Sequence, residues 1–553
     1  MPSVGNNSWR LRATKTMMHK QHSSATSAIL PQSRMDGRSA RSALGLSCLL
    51  SLFWCSLPPL EGRSVSHALS QEAADQTPLG QSIGPSAAAH PGLSGSHPLH
   101  DPHEAFAARV SLARVAAKTL DVQYYIWRND ITGTLLFGEL IAAANRGVRV
   151  RLLIDDVGTA GLDTELAALT RHDNIEVRLF NPFMLRKPKV VGYLADLGRA
   201  NRRMHNKSFT ADNRASIIGG RNVGDEYFGA TDGVLFTDLD VLAVGPVTND
   251  VSTEFDHYWA SASAHPAKGI LPKAERADLE QLAAKSRELL ASPRAREYTG
   301  SIQQTPFVQQ LLDRSLPLEW VQVKMVSDDP AKGLGKAAPN QLLLPQLEKA
   351  LGKIDTHLDL VSAYFVPRVA GVESFGKLAQ SGVKVRVLTN AFEATDVPAV
   401  HAGYGKRRKA LLEHGVQLYE MRSLVPAYAD TKDKKFFQRF GSSGASLHAK
   451  TFAVDGKRLF VGSFNFDPRS AHLNTELGFL IDSPTLAQQF KRVMDEEVPR
   501  LSYRVELNDK GDLQWVGGSG SATPQIYAVE PHTTWFSRSM VTVLGWLPIE
   551  GLL

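Results

Sequence analysis

The stretch His205-Asn206-Lys207-Ser208-Phe209-Thr210-Ala211-Asp212, which closes on Gly219-Gly220-Arg221-Asn222, has a twin in the same chain. The twin is His448-Ala449-Lys450-Thr451-Phe452-Ala453-Val454-Asp455, closing on Gly462-Ser463-Phe464-Asn465. Both read H-x-K-x4-D-x6-G-[GS]-x-N, with 17 positions from histidine to asparagine. A single copy is weak evidence, because a histidine near a lysine is an ordinary surface pair. Two copies with the same local pattern are not ordinary. In each, a short apolar run, a turn at Asp212-Asn213 or Asp455-Gly456 and a second apolar run predict a hairpin. Alternation along its first strand places histidine and lysine on one face. The glycine pair predicts a close approach of backbone to a ligand. Asp212 and Asp455 are candidates for the site, although aspartate before Asn or Gly is also a common turn choice. A paired histidine–lysine set suits phosphodiester chemistry, in which one imidazole attacks phosphorus and the other protonates the departing oxygen.

Working outward, the duplication extends well past the motifs. Residues 120–126 and 358–365 read as strands, each followed by a helical stretch (138–145, 371–380) that ends at Gly147 or Gly382, the left-handed cap position. Strands at 148–155 and 383–389 follow, then helices at 162–172 and 406–414, then strands at 175–179 and 416–419. Strand–helix–strand order predicts an α/β fold with a largely parallel sheet, written twice. The expected domains are 101–262 and 318–503, joined by a helical linker at 263–317. A hairpin and an apolar, tryptophan-bearing tail are expected at 504–553.

The net charge of +6 misleads. Residues 1–63 hold eight basic and two acidic side chains, which is the whole excess, so the rest of the chain is balanced. A neutral body argues against a general grip on nucleic acid. Both cysteines, Cys48 and Cys55, fall in this leader, which excludes a disulfide, a thiolate zinc site or a cysteine nucleophile elsewhere. An apolar segment at 43–60 behind Arg38 and Arg41, with Ser66-His67-Ala68 after it, reads within 1–68 as a secretory signal or an uncleaved membrane anchor. Residues 69–100, rich in Ser, Gly, Pro, Ala and His, read as a disordered tether.

These motifs resemble the phospholipase D superfamily, whose signature is a doubled H-x-K-x4-D. Within it, Val122-Gln123-Tyr124-Tyr125-Ile126-Trp127, Leu179-Phe180-Asn181-Pro182-Phe183, Asn201-Arg202-Arg203-Met204, His401-Ala402-Gly403-Tyr404, Phe466-Asp467-Pro468-Arg469-Ser470 and Trp546-Leu547-Pro548-Ile549-Glu550 are similar to the bacterial cardiolipin synthase C group. The resemblance covers about residues 100–553; the leader departs from it. It implies two α/β/α sandwich domains around a pseudo-twofold axis with one shared active site. It further implies transfer of a phosphatidyl group to phosphatidylglycerol, with phosphatidylethanolamine or a second phosphatidylglycerol as donor. It places the protein in a bacterial cell envelope, at a membrane surface. A phospholipase D-type hydrolase, of lipid or exported nuclease type, is the rival in the same chemistry, and a non-catalytic lipid-binding scaffold the rival outside it.

On that family precedent His205 is the nucleophile and His448 the general acid, then base. Lys207 and Lys450 would stabilise the equatorial oxygens of the transition state, with Asn222, Asn465 and Ser463 donating further hydrogen bonds. No metal or other cofactor is called for, because the lysines supply positive charge. Each imidazole needs a partner to fix its tautomer. Glu476 is the candidate for His448, and Asp225 or Glu226 for the first half. Two segments that interleave basic and apolar residues, 183–191 and 432–440, are candidate contacts with anionic lipid.

Overall fold

The computed structural model describes residues 57–186, 189–231, 235–307, 310, 315–423, 445–518, 524–547, 550–551 and 553. The leader up to residue 56 and the segment 424–444, which includes the second basic stretch, lie outside the described residues. The first half supplies strands β1 (Ser94–Leu99), β2 (Thr119–Ile126), β3 (Arg149–Gly158), β4 (Ile175–Phe180), β5 (Ser208–Ala211), β6 (Ala215–Gly219), β7 (Leu235–Thr237), β8 (Asp240–Val244), β9 (Ala264–Pro266) and β10 (Glu319–Val321). The second supplies β11 (Val323–Ser327), β12 (His357–Ser362), β13 (Lys384–Asn390), β14 (Gln417–Met421), β15 (Ala445–Leu447), β16 (Lys450–Val454), β17 (Arg458–Gly462), β18 (Leu477–Ile481), β19 (Ser502–Leu507), β20 (Leu513–Gly517) and β21 (Gln525–Tyr527).

Two large sheets result, with orders β10-β1-β8-β6-β5-β2-β3-β4-β9 and β11-β18-β17-β16-β12-β13-β14-β19-β20-β21, besides a two-stranded sheet β15-β7. They match strand for strand around a parallel trio, β2-β3-β4 in one and β12-β13-β14 in the other. The sheets are therefore mixed rather than largely parallel. Within these two sheets only the strand–helix–strand crossovers produce parallel pairs, whereas the motif hairpins and the strands returning beside them pair antiparallel. Both hairpins turn through two residues of positive φ, Asp212-Asn213 and Asp455-Gly456, the turn whose twist matches its flanking strands. Gly147 and Gly382 close their helices at φ +92° and +93°.

The duplication also reaches the core. Asp121 on β2 faces Arg151 on β3, and Asp359 on β12 faces Arg386 on β13, each as a buried two-pronged pair with a shortest distance of 2.6 Å. Each half has its own apolar core. A third core is shared: Ile218, Val241 and Val251 of the first half pack with Leu459, Val461 and Phe479 of the second. Both halves thus belong to one compact unit.

The boundaries differ from those expected. Residues 69–100 hold two helices, Gln71–Asp75 and Pro78–Ala89, and strand β1, which pairs with β8 and β10. Composition suggested a tether, but Ser94 to Leu99 pair on both sides within the sheet, and Ser70 and Thr77 cap the helices. Helices at Arg276–Ala291 and Pro293–Gln303 form no free linker: Leu279, Leu282, Tyr298 and Ile302 are part of the first core. Strand β10, assigned by sequence to the second domain, edges the first sheet, while β19 to β21 extend the second into the expected tail. No helix among the described residues is long and apolar enough to cross a membrane.

Candidate active site

Each motif histidine is pinned by the opposite half. The His205 N–H donates to the Thr475 carbonyl (2.9 Å) and the His448 N–H to the Thr237 carbonyl (2.8 Å). The short parallel pair β7–β15, just before His448, and the Met204–Thr475 bridge, just before His205, make these crossings structural. The side chains cross too. His205 Nδ1 lies 2.8 Å from Glu476 Oε2, and His448 Nδ1 lies 2.5 Å from Asp238 Oδ2. With Nδ1 occupied in both rings, Nε2 is the nitrogen left for chemistry. The two imidazoles, 243 positions apart in the chain, influence one another electrostatically, as do the lysines. Lys207 donates to the His205 carbonyl; Lys450 donates to the His448 carbonyl and lies 2.9 Å from His448 Nδ1. Tyr125 meets the His205 ring edge-on at 4.9 Å, and Tyr227 meets His448 at 5.2 Å.

The structure thus brings His205, Lys207, His448, Lys450 and Glu476 together, but redistributes several expected roles. Glu476 partners His205, not the histidine of its own repeat. Asp225 and Glu226 do not orient an imidazole: Asp225 accepts from the Ile131 and Thr132 backbone at a helix start, and Glu226 pairs with Arg128. The partner of His448 is Asp238. The motif aspartates also lie away from the chemistry. Asp212 accepts three backbone N–H bonds from Ala117, Lys118 and Thr119, and Asp455 does the same for Asp355, Thr356 and His357. They tie the hairpin turn to the start of the neighbouring strand. Asp212→Asn should therefore lower stability by about 1–3 kcal/mol, the range for losing a charged acceptor from buried donors, with folded-state turnover largely kept. A denaturant melt beside an activity assay checks this.

The Gly-x-x-Asn ends also hold the site together from behind. A Cβ on Gly220 would sit 2.1 Å from Asp238 Oδ1, so that glycine makes room for the carboxylate on His448. At the equivalent place Ser463 donates to Glu476 Oε2 (2.5 Å) and accepts from the Leu477 N–H. Asn222 accepts from the Ile126 N–H and donates to Tyr227; Asn465 accepts from the Tyr364 N–H. Both asparagines brace the loops behind the histidines. Asp238 escaped the sequence reading, yet a signal existed: Thr237-Asp238 mirrors Thr475-Glu476, and carrying the duplication one step further would have paired them.

Burial and the two lysines push both imidazoles down, His205 well below its ordinary value and His448 to about 4, so both are neutral in the empty site. The carboxylates diverge. Lys450, His448 and Arg221 outweigh burial at Asp238 and hold it ionised, whereas burial lifts Glu476 to about 7. Burial also depresses both lysines, and Lys450 adds to it at Lys207. Among the described residues no cluster of His, Cys, Asp and Glu could hold a metal ion.

The family described as "Cardiolipin synthase, PLD-like domain" matches residues 110–259 and 345–498, one match per half. The chain belongs to this family. It is a phospholipase D-superfamily phosphatidyltransferase, and its substrates are phospholipids. It is 46% identical over 477 residues to cardiolipin synthase C of Escherichia coli K12, covering 86% of this chain and 99% of that protein. It is 32% identical to an uncharacterized protein of Helicobacter pylori 26695, covering 79% of this chain and 84% of that one. Among solved structures, the phosphatidylserine synthase of Haemophilus influenzae superposes with a TM-score of 0.48 at 13% identity, over 76% of this chain and 92% of that one.

Proposed function

We propose that this enzyme makes cardiolipin, moving a phosphatidyl group from phosphatidylethanolamine or phosphatidylglycerol to the free glycerol hydroxyl of phosphatidylglycerol through a phosphohistidine. His448 takes up a proton from solvent as the anionic phosphodiester binds; His205 Nε2 then attacks phosphorus, and the bond to the departing alcohol breaks as that oxygen takes this proton from His448. The alcohol leaves, and His448, now neutral, removes the proton of the incoming hydroxyl, which attacks phosphorus and frees His205. Lys207 and Lys450 face the charge that gathers on the phosphoryl oxygens. The observation that carries the role assignment is the unlike pair of carboxylates. An ionised Asp238 favours a proton on His448, while Glu476, raised toward neutrality, leaves His205 the weaker proton holder and the freer nucleophile. The test is mass spectrometry of products from vesicles of defined phosphatidylethanolamine and phosphatidylglycerol. New cardiolipin is expected; phosphatidic acid alone would replace this reading with hydrolysis.

The lipid must be reached at a membrane, and the C-terminal helix Trp535–Trp546 suits that contact. Trp535, Phe536, Met540, Val543, Trp546 and Leu547 are all exposed. At about 100° per residue they fall within an arc of about 140°, one apolar face. Exposed Lys406 and Lys409 lie beside Arg538 in the cleft next to this helix, an arrangement that favours anionic headgroups. The first basic segment suits it less: Arg186 turns inward to Asp156 and Asp163, and Lys189 to Asp156. Together with the leader read from sequence, these features support a place in the bacterial cell envelope. Trp535→Ala with Trp546→Ala should weaken cosedimentation with phosphatidylglycerol vesicles by at least about tenfold, since two large aromatic side chains leave the bilayer.

A further inference from the structure

The duplicated halves differ in one place that the chemistry above does not use. In the first half, α1 (Pro102–Val115) packs directly on α2 (Ile131–Asn145), and the helices α3 (Arg276–Ala291) and α4 (Pro293–Gln303) seal their outer seam. The fit is close: a Cβ on Gly138 of α2 would lie 2.1 Å from Ser286 Oγ of α3. A cavity of only about 300 Å³ remains there. In the second half the equivalent helices are α5 (Leu343–Leu351) and α6 (Arg368–Gln380), and they stand apart. Between them and the sheet lies a groove of about 690 Å³, within the range of small-molecule sites. Its walls include Leu347, Ile354, Phe375, Phe452, Phe464 and Phe466.

The groove is elongated and its ends differ in kind. It starts at Leu351, Ile354 and Leu358, at the beginning of β12, and reaches Val366 and Pro367 beyond the far end of that strand. At about 3.3 Å per residue that run is on the order of 20 Å, the scale of an extended fatty chain. The first end is apolar apart from Glu348, which is exposed at its rim. The second reaches Asp467, two residues past Asn465 of the second motif and within electrostatic reach of Glu476. There Asp467 caps a helix through the Ser470 N–H, and Glu550 is paired with Arg407. Arg368 and His472 also lie at this end. Arg368 is exposed and held at φ +55°, a left-handed conformation that costs an arginine energy. An apolar groove whose far end carries an exposed guanidinium and comes within electrostatic reach of Lys450 and Glu476 suits an acyl chain joined to a phosphate held in the site.

We propose that this groove binds one fatty-acyl chain of the phospholipid whose phosphodiester sits between His205 and His448. The proposal rests on the reading of a phospholipid substrate and adds where its tail lies. The second half keeps open the seam that α3 and α4 close in the first, so one lipid tail is held inside the protein.

The test uses the full-length protein on vesicles containing phosphatidylglycerol with a photoactivatable diazirine near the methyl end of one acyl chain. Irradiation and peptide mapping should place label on α5 and α6 facing the groove. Label confined to Trp535–Trp546, no label on α5 or α6, or cross-links showing the groove filled by another segment of this chain, would overturn it. Ser374→Trp, on the exposed edge of α6, and Leu344→Trp on α5 narrow the groove. Each should lower the ratio of kcat/KM for dioleoyl- over dihexanoyl-phosphatidylglycerol about tenfold, the equivalent of roughly two methylenes kept out of the groove. An unchanged ratio would also overturn the proposal. If the parent enzyme transfers neither lipid, the functional reading fails on its own, and the labelling pattern still decides the groove.

Discussion

His205→Ala should abolish transfer, with a loss of about five to six orders of magnitude in turnover, because removing a nucleophile that acts as part of a unit forfeits nearly all of the unit's effect. His448→Ala should be as damaging with a natural lipid donor, whose alcohol leaves poorly without a proton. The two should separate when the donor is a p-nitrophenyl phosphodiester, which needs no general acid. His448→Ala should then release a burst of nitrophenol of about one equivalent per enzyme and leave the phosphoryl group on His205, visible by intact-protein mass spectrometry under non-acidic conditions. His205→Ala should give no burst. A burst from His205→Ala, with the label on His448, would invert the assigned roles. Both rings are neutral in the empty site, so protonation of the free enzyme does not choose between them; the unlike carboxylates behind them do.

The second large effect falls on a residue outside both motifs. Asp238→Asn should lower kcat by about three to four orders of magnitude, the scale seen when an ionised carboxylate behind a catalytic imidazole is neutralised. Asp238 is fully buried, lies 2.5 Å from His448 Nδ1 and is held ionised, so its charge is what favours the imidazolium. Glu476→Gln should cost less, about one to two orders, because Glu476 is lifted to about 7 and the amide resembles its protonated form. The contrast should show in kcat with small change in KM, and Asp238→Glu should recover part of the loss where Asp238→Asn does not. Equal losses at the two sites would remove the asymmetry on which the nucleophile assignment depends.

Much of the site was legible because it was written twice. The spacing, the hairpins and their positive-φ turns came from local pattern, and local pattern depends on near neighbours in the chain. What the pattern left open was which groups meet across the two halves. Glu476 follows His448 by 28 positions, so proximity in sequence suggested the wrong ring; it reaches His205, 271 positions earlier. The motif aspartates carried the opposite error. Their regular spacing suggested chemistry, whereas each accepts backbone N–H groups at a turn. Composition misjudged residues 69–100 for a similar reason: a short polar strand is ordered by the neighbours it pairs with, β8 and β10, and not by its own side chains.

The sequence by itself determined that two α/β units of one kind occur in this chain, that each ends its motif in a hairpin, and that a histidine and a lysine stand together in each. Those follow from short-range periodicity and turn chemistry. Only the tertiary structure decided that the carboxylates cross over, that Asp238 belongs to the site, and that the second unit keeps an apolar groove which the first fills with its own helices. These depend on how one sheet packs against the other, and packing joins side chains that no spacing rule relates.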